Sequence, residues 1–338
     1  MKKLFVLAVF LFSAAMIFGG GSSSSQAGAA AKPLELVWST VSVPGDAHTN
    51  SMYAFKETVE RISGGTIKVT CFDSGALFKQ EQSVAALKSG QIDFSHDMSA
   101  SWLTDGSPWV SMFTAGYIFQ SPEHMDKVLN GDIGHQMFER IAKEQGVRPL
   151  AAWYLGTRQI NLVADKPVRT PADLRGVNLR MPNSEAWVFL GRALGANPTP
   201  IAIGELYMAL QTRTVDGQDN PLPSTRLNKF HEVTKSISIT NHLVDAVWPA
   251  IGEARWQSLT AQQKAWVMEG INNGIRICKE TNLKAESELV DYFKSQGLSV
   301  YNADLKAFSS HVLDEYLKSN YAKTWDMDLF KRVQDMAN

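Results

Sequence analysis

The sequence predicts an α/β fold, on three observations. Residues 34–94 alternate short apolar runs of period 2 with amphipathic runs of period 3.6, a βαβαβ order that forces parallel strands and right-handed crossovers. Residues 177–195 repeat the unit of strand, tight turn and helix, with Arg180 at the carboxyl end of the strand, where open α/β sheets present ligand-contacting groups. A proline-free helical pattern then runs from Ala261 to about Gln296. With 338 residues and 37.3 kDa, the chain has room for one large or two medium domains.

Residues 1–31 stand apart from that fold. Lys2 and Lys3 precede an apolar core, Leu4 to Phe18, that is too short to span a bilayer. Small and polar residues follow, with Ala27-Gly28-Ala29 or Ala29-Ala30-Ala31 as the cleavage site. The pattern is that of a secretory signal peptide, and no cysteine near residue 20 offers a lipid attachment point.

Leu34, Leu36 and Trp38 mark the first strand. A polar turn from Ser39 to Asn50 carries His48, and the spacing of Met52, Phe55, Val59 and Ile62 predicts a helix starting near Asn50 or Ser51. Gly64 and Gly65 end it. Thr66–Phe72 form the second strand, Val84 and Leu87 lie on the next helix, and Ile92 and Phe94 open the third strand. The stretch from Ser95 to Pro122 is rich in aromatics, and a loop in this position lies over the cleft; Trp102 offers a ring face to the apolar side of a sugar. Helices are expected around His124–Leu129 and Ile133–Gln145, then a strand at Ala151–Tyr154. Thr170-Pro171-Ala172-Asp173 starts a one-to-two-turn helix. In the following strand Arg180 shares the polar face with Asn178, an exposed strand-end arginine, before a helix Glu185–Leu194 capped by Asn183 or Ser184. Lys235–Thr240 alternate as a strand, and residues 246–251 lead back to the first half. Gly270 and Gly274 weaken the long helix enough to allow one or two breaks. Short helices near Leu305–Leu317 and Asp328–Met336 close the chain.

Composition excludes more than it selects. A hydrophobic share of 44% and a charged share of 20% are ordinary for a globular protein. The net charge of −1 and the lack of a basic block argue against nucleic acid as a partner. The two cysteines, Cys71 on an apolar strand face and Cys278 inside the helical run, read as buried free thiols, since pairing needs a proximity that spacing does not supply. The sequence carries no second histidine at helical spacing after His231-Glu232, no cysteine pair with metal-ligand spacing, no G-x-S-x-G elbow, no phosphate-binding loop and no dinucleotide fingerprint. No catalytic residue, metal or cofactor is therefore expected, and the chain does not read as an enzyme.

Three motifs occur in order: Leu179-Arg180-Met181-Pro182-Asn183; Pro200 followed by Glu205-Leu206-Tyr207 and Ala209-Leu210-Gln211; and Asp216-Gly217-Gln218-Asp219-Asn220-Pro221. With Gly156-Thr157-Arg158 and Asn241-His242, they resemble the segment shared by solute receptors of TRAP (tripartite ATP-independent periplasmic) transporters, including C4-dicarboxylate and sialic-acid binders. The likeness covers residues 34–300 and is sharpest at 156–242. It implies a two-domain periplasmic-binding-protein fold with a ligand cleft between the domains and a long bridging helix. Domain I would comprise 34–155 and 246–285, and domain II 156–245 and 286–338 with the C-terminal helices. It also implies a periplasmic, monomeric receptor that binds a small organic acid and delivers it to a membrane permease. Arg180 would grip the ligand carboxylate with both prongs of its guanidinium, Arg158 would add positive charge, and Asn183 and Asn220 would orient the ligand. His48 and Trp102 complete the candidate contacts. Met98 and Ser101 stand where the sialic-acid branch has an acid and an arginine, and Ala115-Gly116-Tyr117 departs from a common proline-containing triplet. These departures favour a sugar acid or similar monocarboxylate. The alternatives are a secreted α/β enzyme acting on a small acid and a sensing receptor of the same fold.

Intact-mass measurement of the exported protein tests the leader. The mature chain is expected to begin between residues 28 and 32, and a chain still starting at Met1 in the exported fraction would refute the reading.

Overall fold

The computed structural model describes residues 32–337, so the leader expected over 1–31 lies outside the described residues. β1 (Leu34–Ser39), α1 (Ala47–Ile62), β2 (Ile67–Phe72), α2 (Ser83–Ser89) and β3 (Phe94–Ser95) form the expected opening. β1 lies between β2 and β3 and is parallel to both. α1 begins about a turn before its apolar pattern does. Asp46 caps it by accepting from the His48 amide, so the cap and not the periodicity sets the start. The aromatic stretch winds into 3-10 turns at Ala100–Trp102 and Pro108–Thr114.

α3 (Pro122–Leu129), α4 (Asp132–Gln145) and β4 (Val147–Pro149) lead to β5 (Trp153–Leu162), the first strand of a second sheet. β6 (Asn178–Met181), α5 (Glu185–Ala193), β7 (Asn197–Pro200), α6 (Leu206–Gln211), β8 (Gly217–Pro221), α7 (Leu222–Leu227) and β9 (Ser236–Val247) continue it. β9 runs seven residues beyond the expected Thr240, through Asn241 at φ +45° and His242. β10 (Ala250–Gly252) returns to the first sheet and pairs antiparallel between β3 and β4. The sheet orders are β2-β1-β3-β10-β4 and, with β11 (Ser299–Asn302), β11-β9-β5-β8-β6-β7.

Between β10 and β11 come α8 (Glu253–Ser258) and α9 (Ala261–Ser295), and α10 (Leu305–Lys318) and α11 (Met327–Asp335) finish the chain. α9 is unbroken over 35 residues. Its two glycines are contact points, not breaks. A Cβ on Gly270 would stand 2.6 Å from the Phe55 ring of α1, and one on Gly274 would stand 2.3 Å from the ring of Trp153. Further along, Asn282 donates to the Tyr154 carbonyl at 2.7 Å and Glu286 accepts from the Thr157 amide at 2.6 Å, so the same helix holds both α1 and β5.

Trp38, Phe55, Phe94 and Trp153 form the aromatic centre beneath the first sheet, with Trp38 stacked 5.0 Å from Phe94 and edge-on to Phe55 at 4.8 Å. Burying each such ring contributes about 1.5–3 kcal/mol or more. Cys71 is half-buried and Cys278 is buried with its Sγ 3.2 Å from Ser51 Oγ; both are free. Among the described residues no helix is long and apolar enough to cross a membrane.

Gly274→Ala tests the helix contact. Alanine favours a helix by about 1 kcal/mol over glycine, but the added methyl meets a fully buried Trp153 whose indole N–H is committed to Ile271 O at 3.0 Å. Overpacking is expected to win, with a net loss of about 1–2 kcal/mol in urea unfolding. An unchanged or raised midpoint would mean the glycine is not there for close approach.

Candidate ligand-binding site

Both sheets reverse their strand order at one place. In the first, β1 connects outward to β2 and the chain then returns to β3 on its other side. In the second, β6 connects outward to β7 and returns to β8 on its other side. Such switch points leave a crevice beyond the carboxyl ends of the strands. Residues following β1 and β3 and residues from β6 and β8 line a single cavity of about 90 Å³, so the two crevices share it.

On the side of the second sheet, two guanidiniums reach this cavity, and their surroundings differ. Arg158 of β5 gives its Nε to Asp245 Oδ2 at 2.8 Å, and its Nη1 lies 2.7 Å from Asp219 O and 3.1 Å from Asp219 Oδ2. His242 Nε2 approaches the same Asp219 oxygen at 3.2 Å. Burial disfavours the Arg158 charge, but Asp219 and Asp245 more than offset it and hold its pKa above the ordinary value. Arg180 of β6 is buried to 1% exposure with no carboxylate in contact. Its one hydrogen bond among the described residues runs from Nε to Ile201 O at 2.8 Å. Burial pushes its pKa down to about 9; Asp219 pulls upward and Arg158 pushes further down. Among the described residues the two terminal nitrogens of its fork therefore have no partner. The Trp187 ring of α5 lies under Arg158, with Cζ 4.3 Å from the ring centroid, and its buried Nε1 also lacks a partner.

The first-sheet side is polar, and its groups bond mainly to one another. His48 is buried behind the cavity, with Nδ1 2.5 Å from Asp46 Oδ1 and Nε2 3.3 Å from the Tyr154 carbonyl. Nδ1 thus stands at ion-pair distance from Asp46 without making a hydrogen bond to it. Burial lowers its pKa, but Asp46 and the carbonyl raise it to a net upward shift; Asp46 is held below the ordinary carboxylate range, burial being outweighed by His48. Burial pushes His96 down to about 3, so it is neutral. The Trp38 indole donates to His96 Nδ1 at 3.1 Å, which places the ring proton on Nε2, facing Thr40 Oγ1 at 2.9 Å. Thr40 in turn donates to Asp97 Oδ1 at 2.6 Å, and Asp97 also accepts from the Val41 amide and Ser83 Oγ. Burial still raises the Asp97 pKa.

Residues 38–324 match the model of the bacterial extracellular solute-binding proteins, family 7. The chain belongs to that family. The sialic acid-binding periplasmic protein of Vibrio cholerae is 30% identical over 267 residues, 78% of this chain and 81% of that one. A TRAP periplasmic solute-binding protein from Roseobacter denitrificans, solved with bound 3-deoxy-D-manno-oct-2-ulosonic acid, is 36% identical with a TM-score of 0.86, covering 90% of this chain and 100% of its own. Another from the same organism, solved with bound L-galactonate, is 27% identical with a TM-score of 0.81, covering 91% and 99%. The family 7 chain thus has the two-lobed receptor fold of TRAP solute-binding proteins, with α9 as its long helix.

Of the six residues that the sequence singles out, Arg158, Arg180, Asn220 and Trp102 line the cavity of this receptor. Arg180 is buried, not an exposed strand-end group, because β7 and β8 flank its strand. Asn183 is exposed in the turn before α5 and does not line the cavity; Ser184 supplies the cap instead. His48 sits in the first turn of α1, not in an open loop, and meets the cavity only through Asp46. Trp187, His96, Asp97 and Asp245 also line the cavity and escaped the sequence reading. The rule that selected Arg180 was available for His96 and Asp97, which directly follow β3. Nothing in the sequence marked Trp187 as other than a core helix residue.

The Asp46–His48 pair predicts a pH signature. His48 has a raised folded pKa, so its contribution is full below its unfolded value of about 6.5 and is lost as pH rises through the folded value. Asp46 has a lowered one, so its contribution is present above about 3.8 and is lost as pH falls through the folded value. Asp46→Asn should therefore destabilise most between those limits, by on the order of 3–5 kcal/mol for a broken buried pair. By NMR, His48 should titrate above 6.5 in the parent chain and below it in the variant. A parent His48 that titrates below 6.5 would remove the ion pair.

Proposed function

We propose that this receptor captures a polyhydroxylated monocarboxylate, a sugar acid, between its two lobes and passes it unchanged to a TRAP membrane permease. The observation that carries the reading is the Arg180 fork, a buried bidentate donor without an acceptor among the described residues. A carboxylate matches both its charge and its geometry. Arg158, the other cation at the cavity, is already committed to Asp219 and Asp245. A second ligand carboxylate would face Asp46, Asp97 and Asp245 without a cation to receive it, which disfavours dicarboxylates. Ser42, Ser99, Ser224, Asn228 and Gln80 surround the rest of the cavity with groups suited to hydroxyls, and half-buried Trp102 offers a ring face to a sugar. Related receptors solved with 3-deoxy-D-manno-oct-2-ulosonic acid and L-galactonate support the same class.

Turnover is not part of the proposal. The cavity acids are engaged, Asp245 with Arg158, Asp46 with His48 and Asp97 with three donors, so none is free to serve as a base. The lobes are proposed as 34–155 with 246–285 and 156–245 with 286–338, in a monomeric receptor exported to the periplasm by its leader.

A thermal-shift screen with galactonate, galacturonate, 3-deoxy-D-manno-oct-2-ulosonate, N-acetylneuraminate, succinate and malate tests the class. Sugar acids are expected to raise the midpoint, with about 2.7 kcal/mol of stabilisation at a hundredfold excess over Kd, and recovered ligand should be unaltered. Stabilisation by succinate or malate alone would reverse the assignment. Arg180→Ala should weaken binding by about 30- to 5000-fold, and Arg180→Lys should recover only part of it. Because burial disfavours the Arg180 charge, Arg180→Ala without ligand is expected to hold or gain stability at neutral pH. Exposed Arg175→Ala is the neutral control. Normal binding by a folded Arg180→Ala would end the carboxylate-clamp model.

A further inference from the structure

Trp187 is 3% exposed, lines the cavity, and carries one of the few buried side-chain nitrogens in the described residues with no hydrogen-bond partner. An indole N–H is a donor only, and leaving it buried and unsatisfied costs about 1–3 kcal/mol. Three other buried indoles find acceptors: Trp38 in His96, Trp153 in the Ile271 carbonyl and Trp325 in Ser111 Oγ. Trp187 is also fixed in place. Its amide is capped by Ser184 in the first turn of α5, and the Arg158 guanidinium lies on its ring, itself anchored to Asp219 and Asp245. The indole thus lies at the cavity wall with its N–H unpaired among the described residues.

We propose that Trp187 is a specificity-determining residue whose Nε1–H donates to a hydroxyl or carbonyl oxygen on the carbon next to the ligand carboxylate. This rests on the monocarboxylate reading, in which the Arg180 fork occupies both carboxylate oxygens. Arg180 and Trp187 bracket a single strand-to-helix turn and line the same cavity of about 90 Å³, so a small ligand held by one lies within reach of the other. With the carboxylate taken, the indole is left with an oxygen substituent close to it. The acid so selected is a 2-hydroxy or 2-keto acid, and its 2-deoxy counterpart leaves the N–H unpaired. Discrimination arises because a site built to bond an oxygen is penalised when that oxygen is missing.

Calorimetric titration of galactonate and 2-deoxygalactonate into the full receptor and its Trp187→Phe variant tests this. The parent is expected to prefer galactonate by about tenfold, and the phenylalanine variant, which keeps a ring under Arg158, should lose most of that preference through weaker galactonate binding. A second readout needs no variant to be functional. The Trp187 indole proton resonance, assigned among the 9 tryptophans by its absence in Trp187→Phe, should move downfield when galactonate is added to the 15N-labelled parent. If galactonate binds but the preference survives in the variant, or the resonance does not move, the Trp187 assignment is wrong and the receptor reading stands. If neither galactonate nor any sugar acid of the screen binds the parent, both fail together.

Discussion

Two guanidiniums buried against one small cavity constrain everything around it. Each charge taken out of water must be met by an acid, by dipoles or by a ligand. Arg158 is met from within the fold: Asp219 and Asp245, on β8 and β9, bracket its strand, so a single ion cluster ties the three central strands of the second sheet together. Arg180 is met only in part, by one carbonyl. Among the described residues Arg180 therefore has one carbonyl in contact and only the more distant Asp219 to offset its charge, which leaves its fork available to a ligand. The same contrast underlies the proposed preference for one ligand carboxylate, because the charged groups at the cavity besides the two arginines are Asp46, Asp97 and Asp245.

The architecture explains how such a site arises without a dedicated domain. A switch point in a parallel sheet opens a crevice as a by-product of strand order. Here two sheets each have one, and β5, β9 and β10 carry the chain between them so that the crevices face a common space. α9 lies along both, against α1 near its start and against β5 further on. Side chains at strand ends and first helical turns, from widely separated parts of the sequence, then converge on one cavity.

Much of this was legible in the sequence, and the remainder was hidden for definable reasons. Periodicity located the strands and helices well, since one buried face per element leaves a repeat. It failed where burial was two-sided or absent. The first turn of α1 buries Ala47, His48 and Thr49, residues with little hydrophobic signature, so periodicity starts the helix after His48 and leaves the Asp46 cap unmarked. Arg180 was located correctly in the strand, but its burial depends on β7 and β8, which no local pattern reveals. Gly270 and Gly274 looked like weak points because propensity is a local property, whereas their use is a tertiary contact. Trp187 could not have been distinguished from a core aromatic: the missing partner of its N–H is a fact about its surroundings.

The state of the two cysteines has a consequence for chemical durability. Disulfide exchange and most oxidation proceed through the thiolate. Burial pushes the Cys71 thiol up to about 12 and Cys278 higher still, so at physiological pH both remain almost wholly protonated. Proteins of an extracellular family work where oxidants are common and reductants scarce. Burial thus holds both sulfurs in the protonated form, the one less disposed to exchange, without any disulfide to protect them.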